Sequence, residues 1–235
     1  MTSVKLLALD TSTEYCSAAL WLRGEVRAER VLAGQLHSAL LLPMVDTLLR
    51  QADMTLRELD GIAFGAGPGS FTGLRIACAV TQGLALGADL RVLGISTLAS
   101  MAQQTQSPRV LTVLDARMNE VYWAAYERQT EGWICLSEPA LGQPESVAFP
   151  DNGPWAGAGN GLHLLQSAMN VNLSEHYADI MPDAAAIVAL AAPRFARGEG
   201  IDAALAAPVY LRDKVAMTAA ERSLKPAAAT RVQAV

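Results

Sequence analysis

The sequence predicts an α/β protein made of two similar lobes. Short apolar runs typical of strands alternate with longer segments whose apolar residues recur every three or four positions, as in helices. An apolar run that ends in Asp occurs at Leu9-Asp10 and again at Leu114-Asp115, and the next expected strands, 16–21 and 121–126, keep the same spacing. The halves therefore resemble copies of one unit, although a chance likeness between two strand–turn–strand segments gives the same pattern.

The composition is that of a globular, slightly acidic chain. It has 235 residues, 51% of them apolar and 17% charged, and its formal net charge is −5. This length suits one large domain or two small ones with enough apolar side chains for a core. The chain has no Lys/Arg cluster, which argues against a strong independent grip on nucleic acid, because such binding depends on concentrated positive charge.

Sequence signals for a membrane or for secretion are weak. The longest strongly apolar run, about Ile76–Ala88, is too short to cross a bilayer, so we expect no membrane span. Asp10 interrupts the N-terminal apolar segment before a secretory signal can form. The cysteines are odd in number and far apart, which suits buried thiols rather than disulfides; they are Cys16, Cys78 and Cys135. We therefore expect a cytoplasmic protein.

The first half predicts a hairpin, a helix and a strand that leads into a glycine-rich loop. Apolar or alternating runs indicate strands over 4–10, 16–22 and 25–32. From His37 the pattern is that of an amphipathic helix, whose apolar positions include Leu40, Leu41, Met44, Val45, Leu48 and Leu49. Its Pro43 is tolerated only near the first turn. Thr55 and Glu58 have capping-box spacing, before a short strand at 61–64.

After the loop, helices and strands continue to alternate. The pattern predicts a helix over 74–86, a strand over 92–95 and a helix that opens at Ser96. Further strands are expected at 111–115, 121–126 and 133–136, then a glycine-rich turn at 157–161 and helices from 162 and over 183–197. A polar segment ending at Pro108 suits a boundary near residue 106. The expected division is a first lobe over 1–106, a second over 107–218 and a loose tail over 219–235.

The glycine-rich loop Gly65–Arg75 is the most distinctive local motif. It reads GAGPGSFTGLR between a strand and a helix, so its N–H groups can surround an anion at the positive end of the helix. It is not a P-loop, and Thr72 stands where a dinucleotide-binding motif needs its third glycine. A tight turn, in which glycines allow positive φ or close packing, explains the same residues, and the spacing alone favours this structural interpretation.

Two carboxylates stand where a strand enters a turn, in Asp10-Thr11-Ser12 and in Asp115-Ala116-Arg117. In a two-lobed nucleotide-binding fold such a pair can face the cleft and hold metal-bound phosphate, because Mg²⁺ prefers hard oxygen ligands. Each Asp can equally cap its own turn, and Arg117 can neutralise Asp115 in a structural ion pair. Both interpretations stay open at the level of sequence.

Local signatures of a catalytic centre are missing from the sequence. His37, His163 and His176 are scattered and form no zinc-binding pattern. No serine lies in a GxSxG motif, and no cysteine forms a local nucleophile signature with a histidine. The sequence therefore predicts no catalytic residue and no metal site.

Together, the motifs resemble the TsaB family, also called YeaZ. The resemblance spans residues 1 to about 213 and is carried by LLALDTST, GAGPGSFTGLRIA, GISTLAS, LDARMNEVYWAAY and PVYLRD, in that order. The segment Gly67–Arg75 is the most specific of them. The family has the two-lobed actin/Hsp70/sugar-kinase (ASKHA) fold of two duplicated α/β subdomains, which agrees with the repeated strand pattern.

The resemblance implies a supporting role in tRNA modification. TsaB-like proteins are described as non-catalytic partners of their paralogue TsaD, which transfers threonylcarbamoyl from threonylcarbamoyl-AMP to the adenosine beside the anticodon, in tRNAs reading codons that begin with A. The ATPase TsaE joins the complex, and a homodimer forms when TsaD is absent. The chain itself is expected to bind no cofactor tightly, since ATP and Mg²⁺ are used by the complex, and to meet tRNA only through that complex.

The resemblance also implies residue roles. The TsaD pattern has an HxxxH metal pair where this chain has Thr97 and Met101, and neither side chain replaces imidazole as a ligand. The loop and partner interface are expected to use Gly67, Gly69, Ser70, Gly73, Arg75, Leu41, Met44, Val45 and Leu48. A nucleotide-like cleft is expected to contain Asp10, Thr11, Ser12, Asp115, Arg117, Glu120 and Tyr122.

Two other classes of function remain open. One is an autonomous enzyme of the same fold, either an ATP-dependent phosphotransferase with both aspartates on Mg-ATP or a peptidase, as the glycoprotease label of related proteins suggests. The other is an interaction module with no part in tRNA modification. Nucleotide binding, metal content and partner identity discriminate among them.

Overall fold

Two five-stranded mixed sheets form the framework of the protein. The computed structural model describes residues 4–130 and 132–212. The first sheet contains β1 Lys5–Asp10, β2 Tyr15–Leu22, β3 Glu25–Leu32, β4 Gly61–Gly67 and β5 Arg91–Ser96. The second contains β6 Arg109–Arg117, β7 Glu120–Gln129, β8 Gly132–Gly142, β9 Ala156–Ala158 and β10 His176–Tyr177.

The two sheets have the same topology. The strand order is β3-β2-β1-β4-β5 in the first and, from the corresponding edge, β8-β7-β6-β9-β10 in the second. In each, the first strand pairs antiparallel with the second and parallel with the fourth. The predicted fold class, an α/β protein of two duplicated lobes, is confirmed, and it is consistent with an ASKHA-like fold.

Each helix expected from the sequence is present among the described residues. The helices are α1 His37–Gln51, α2 Phe71–Ala88, α3 Thr97–Gln103, α4 Leu162–Ala168 and α5 Ala184–Ala196. Helix α2 begins earlier than its apolar pattern indicates, because the Ser70 hydroxyl caps it by accepting the Gly73 N–H. Pro43 lies in the second turn of α1 rather than the first, which leaves one main-chain hydrogen bond unmade.

Alternate residues of the first sheet point to its two faces, and each face packs in a separate hydrophobic core. Helices α1 and α2 cover one face, where Leu7, Leu9 and Phe64 are buried. Helix α5 covers the other, where its Ile187 meets alternate residues such as Ala8. Helix α5 therefore completes the first lobe although it follows the second sheet in sequence, so the division at 107–218 does not describe the packing. Residues 213–218 and the tail expected over 219–235 lie outside the described residues.

Helix α3 joins the two lobes. It packs against β4 and β5 of the first sheet and against β6 and β7 of the second. Its Leu98 and Met101 are fully buried in the core of the second lobe. The connection between the two sheets therefore consists of a packed helix, α3, followed by a polar segment near residue 106.

Helix α2 meets the length and composition of a membrane span, with 18 residues and an apolar average. It is longer than the run 76–88 on which the sequence expectation rests. Its buried side, which includes Leu74, Ala77 and Cys78, faces the first lobe, and the helix packs on β4 and β1. This packing is that of a helix that covers a sheet with one side, so the described residues contain no convincing transmembrane span.

Candidate functional site

A cleft of about 750 Å³ lies between the two lobes. The first lobe supplies the β1–β2 turn and the loop before α2, and the second lobe supplies the end of β6 and the turn after it. Seven residues predicted for a loop or cleft line it: Ser12, Gly69, Ser70, Gly73, Asp115, Arg117 and Tyr122. Other predicted residues do not: Asp10, Thr11, Glu120, Gly67, Arg75, Leu41, Met44, Val45 and Leu48.

The glycine-rich loop is packed directly on the β1–β2 turn. A Cβ at Gly73 would overlap the carbonyl oxygen of Thr11, and one at Gly69 would lie 2.6 Å from the carbonyl oxygen of Ser12. The Thr11 hydroxyl donates to the Gly73 carbonyl over 2.6 Å. Close approach explains both glycines, whereas Gly67 has a positive φ of 121°. The structural interpretation of the motif is the one supported by the geometry.

Some of the N–H donors at the amino end of α2 already bond to acceptors in the chain itself. The Ser70 N–H donates to the Ser12 carbonyl over 2.7 Å, and the Gly73 N–H donates to the Ser70 hydroxyl. These two donors are therefore not free to surround an anion. The loop forms a wall of the cleft, and these two of its N–H groups are unavailable to an anion.

Asp10 lies beneath the cleft wall. It is fully buried, and its Oδ2 accepts hydrogen bonds from the N–H and the hydroxyl of Ser12, over 3.2 and 2.9 Å. Its Oδ1 has no hydrogen-bond partner among the described residues. Burial raises the pKa of this carboxyl to about 7, against the lowering effect of the Ser12 hydrogen bonds. Asp10 is therefore a core carboxyl, and the expectation that it faces the cleft is wrong.

Asp115 does line the cleft, and its own turn uses its carboxylate. Oδ1 accepts the Arg117 N–H over 2.7 Å, and Oδ2 lies 3.7 Å from the Arg117 guanidinium. Its backbone N–H donates to the Asn160 side chain, which ties β6 to the turn before α4. Among residues 4–130 and 132–212, no three His, Cys, Asp or Glu side chains come together as a metal site. Because Asp10 is buried outside the cleft lining and Asp115 is held by Arg117, the geometry does not support the two aspartates as a pair for Mg-phosphate.

The remaining cleft candidates have different environments. Glu120 forms an ion pair of 2.6 Å with Arg212, and of the two only Arg212 lines the cleft. Tyr122 is only 8% exposed and belongs to the core of the second lobe. The Arg117 side chain is 83% exposed. Within residues 4–130 and 132–212, no hydrogen bond or ion pair joins these three side chains to one another.

Four residues predicted for the partner interface lie in the core instead. Leu41, Met44, Val45 and Leu48 are each at most 6% exposed and pack with the first sheet. The amphipathic pattern marks the side of α1 that faces its own lobe, so these side chains cannot contact a partner while the lobe is folded. The exposed side of α1 has to supply any such contact.

Arg75 belongs to a surface cluster that the sequence did not indicate. Its guanidinium lies 3.7 Å from the centre of the Phe71 ring, and its Nε donates to the Tyr210 hydroxyl over 2.9 Å. Tyr210 also packs on Phe71, with 5.3 Å between ring centres. Tyr210 and Arg212 lie in the late PVYLRD segment, so the motif was visible, but its place beside the loop follows only from tertiary folding.

Thr97 and Met101, which stand where the TsaD pattern has its histidines, are both used for packing. The Thr97 hydroxyl donates to the Pro68 carbonyl, which fixes α3 to the loop. Met101 is fully buried in the core of the second lobe. Neither side chain is directed into the cleft lining.

Comparisons with known proteins cover both lobes. The model of the family "TsaD: tRNA N6-adenosine threonylcarbamoyltransferase" matches residues 30–220. The tRNA threonylcarbamoyladenosine biosynthesis protein TsaB of Escherichia coli (strain K12) is 39% identical over 224 residues, 91% of this chain and 96% of the relative. The TsaB of Haemophilus influenzae is 37% identical over 234 residues, 92% and 96% of the two chains.

Solved structures give the same result. YeaZ from Pseudomonas aeruginosa is similar with a TM-score of 0.85 and 43% identity, over 88% of this chain and all of that one. Another P. aeruginosa structure, described as an uncharacterized protein with similarity to the peptidase YEAZ, has a TM-score of 0.85 and 42% identity over 89% of this chain. The likeness therefore includes the cleft and both of its walls.

Proposed function

Because this chain belongs to the TsaB (YeaZ) family and so takes part in tRNA threonylcarbamoyladenosine biosynthesis, we propose that it acts there as a non-catalytic subunit. In this role it binds TsaD, and through TsaD the ATPase TsaE. It is required for transfer of the threonylcarbamoyl group from threonylcarbamoyl-AMP to the adenosine beside the anticodon. The role is exercised in the cytoplasm, and the chain meets tRNA only within the complex.

The observation that carries this proposal is the use made of Thr97 and Met101. In the catalytic paralogue the corresponding pattern supplies two histidines for a metal, whereas here one side chain holds the loop and the other fills the core. A thioether and an alcohol do not replace two imidazoles as ligands. ATP and Mg²⁺ then serve the complex, and this chain needs no tightly bound cofactor of its own.

An autonomous enzyme is the weaker alternative. A phosphotransferase of this fold needs carboxylates that reach Mg-ATP, but Asp10 is buried and Asp115 is held by Arg117. The peptidase description belongs to a related protein. The side chains that line this cleft include no nucleophile–histidine pair at hydrogen-bond distance among the described residues. The geometry therefore favours a supporting role.

The exposed sides of α1 and α2 form the surface that we assign to TsaD. The two helices lie together on one face of the first sheet. The exposed residues include Ala39, Leu42 and Asp46 on α1 and Arg75, Ala79, Gly83, Leu86 and Gly87 on α2. Leu42 and Leu86 are 48% and 64% exposed. Small residues on α2 allow a partner helix to approach closely, and the two leucines supply apolar area.

The same surface accounts for a homodimer in the absence of TsaD. A paralogue has a similar face, so a contact between two copies of this chain and a contact with TsaD can use one patch in turn. The two assemblies are then mutually exclusive. Because this competition depends on the position of the patch, it can be tested separately from catalysis.

Reconstitution tests the function directly. Purified TsaD, TsaE, the enzyme that supplies the adenylate, ATP, Mg²⁺, threonine, bicarbonate and tRNA are combined with and without this chain. We expect modified tRNA only when the chain is present, and no product from the chain without TsaD. Equal product in its absence would contradict the proposal, and metal analysis with ATP-binding calorimetry would then test an independent activity.

A further inference from the structure

After α5 the chain crosses the mouth of the cleft from one lobe to the other. On the first lobe the Gln82 side chain donates to the Ala206 carbonyl over 3.1 Å, and the Val209 N–H donates to the Ala66 carbonyl over 2.7 Å. Leu211 then packs on the core of the second lobe. Residues 209–212 all line the cleft. We call residues 207–212 the strap.

The anchor of the strap on the first lobe is the amino end of α2. The Tyr210 ring packs on Phe71, and its hydroxyl accepts a hydrogen bond from Arg75. Arg75 in turn stacks on Phe71, so the three side chains hold one another. A Cβ at Gly67 would lie 2.7 Å from the Val209 carbonyl oxygen, which shows how closely the strap follows the loop.

The anchor on the second lobe is Arg212. Its guanidinium donates to the Ala116 carbonyl over 3.1 Å and pairs with the Glu120 carboxylate over 2.6 Å. The two side chains are only 17% and 25% exposed, so salt and water screen this ion pair less than a fully exposed one. A further contact of 3.5 Å joins the guanidinium to Met118 Sδ.

Arg212 thereby contacts the residues on both sides of a strained turn, Ala116 before it and Glu120 after it. Between Ala116 and Glu120 three consecutive non-glycine residues have left-handed backbones: Arg117, Met118 and Asn119, with φ of 64°, 58° and 60°. Left-handed conformations are unfavourable for such residues and persist when surrounding contacts hold them. The turn forms part of the second wall of the cleft, so the strap acts on that wall as well as across the opening.

Helix α3, which also packs on both sheets, contributes no residue to the cleft lining. The strap is therefore placed to control the cleft separately from α3. From these contacts we propose that the strap is a latch that holds the two lobes together across the cleft and fixes the β6–β7 turn. Loss of either anchor therefore increases the mobility of the β6–β7 turn on the second lobe and of the strap on the first lobe. This inference does not depend on which partner the protein binds.

Hydrogen–deuterium exchange on the full chain tests the latch. Tyr210→Ala removes the anchor on the first lobe, and Arg212→Ala removes the one on the second. We expect Tyr210→Ala to speed amide exchange in the second-lobe turn 116–120 by about fivefold, the ratio expected for one lost hydrogen bond. Arg212→Ala should likewise speed exchange of the Val209 amide on the first lobe.

Two further variants complete the design. Glu120→Gln keeps the side-chain size and weakens the same anchor as Arg212→Ala, so it should speed exchange at Val209 even if the alanine variant folds poorly. Arg197→Ala removes an ion pair with Glu199 at the end of α5 and should leave the cleft amides unchanged. Faster exchange confined to the lobe of the substituted anchor, in Tyr210→Ala and Glu120→Gln alike, would overturn the latch.

Discussion

At the scale of single residues, Asp10 has the clearest measurable consequence. Burial raises its folded-state pKa to about 7 from the usual 3.8. Between these values the folded protein retains a proton that the unfolded chain releases, so this residue lowers the stability as the pH rises from about 4 to 7. At neutral pH and above, the free energy of unfolding is lower by on the order of 4 kcal/mol than at acidic pH on account of Asp10, at about 1.36 kcal/mol per pKa unit.

Asp10→Asn should remove this dependence. Denaturant unfolding from pH 4 to 8 is expected to give a stability difference, variant minus wild type, that increases with pH and levels off above about 7. The constant difference in stability between the two proteins depends on how the amide that replaces the carboxyl in the variant packs. The change of that difference with pH depends only on the Asp10 carboxyl of the wild type. Ser12→Ala removes the hydroxyl hydrogen bond to Asp10, which favours the ionised form, and should shift the levelling to higher pH. Parallel curves for Asp10→Asn and wild type would refute the assignment.

Two glycines of α2 make a matched pair. Gly73→Ala places a Cβ against the Thr11 backbone and should destabilise the protein by about 2–3 kcal/mol. Gly83→Ala meets nothing within 4 Å and should stabilise it by about 0.5–1 kcal/mol, because alanine is the better helix former. Denaturation midpoints of both variants measure the contrast. Similar effects at the two positions would show that the loop does not press on the β1–β2 turn.

At the scale of elements, the sequence predicts type and order well and tertiary placement poorly. Strand β3, the Thr55–Glu58 capping box and the cap at Ser96 lie where local patterns put them, because those signals act over a few residues. The position of α5 on the first sheet depends on contacts between distant segments. The periodicity of α1 predicts its apolar side, but periodicity does not distinguish a core face from an interface, so the prediction of four core residues as partner contacts is wrong.

In the candidate site, too, local motifs are predictable from the sequence and their tertiary placement is not. The sequence predicted the loop, Ser12 and Asp115, which the structure brings to one cleft. It did not predict the burial of Asp10, because the strand-to-turn pattern is the same whether the carboxyl points into the core or out of it. It also missed the strap, whose residues become neighbours of the loop only when the chain returns from the second lobe.

The exposed side of α2 gives a prediction for the proposed interface. Gly83→Arg adds a long charged side chain in open space, so the fold should be retained while close approach of a partner helix is blocked. We expect unchanged or slightly higher thermal stability and at least about tenfold weaker binding to TsaD, which corresponds to about 1.4 kcal/mol. Pull-down titration and the reconstituted assay measure these effects.

The control for this variant is Ala196→Arg, which adds the same side chain at an exposed position near the end of α5. It should bind TsaD like the wild type, since α5 lies on the opposite face of the first sheet. Full binding by Gly83→Arg would place the interface elsewhere. Because the test measures association directly, it separates an error in the surface from an error in the proposed function.

At the scale of the whole molecule, the two lobes share one topology but differ in what they expose. The first lobe has a two-helix surface with small residues, whereas the second supplies α4 and a sheet edge at β8. In the part of the chain that the structure describes, Asp115 lines the cleft between the two lobes and Asp10 does not, and the strap crosses the mouth of the cleft. Under the proposed function, the contact with TsaD is made by the outer helical face of α1 and α2.

This proposal predicts competition between assemblies. If one face serves both contacts, added TsaD should convert the homodimer into a heterodimer, because the occupied patch is no longer available to a second copy. Multi-angle light scattering across a TsaD titration should show the homodimer disappearing in proportion to the new complex, and Gly83→Arg should be defective in both. A stable assembly that contains TsaD bound to an intact homodimer would mean that two separate faces are used, and the helical face would then account for only one of them.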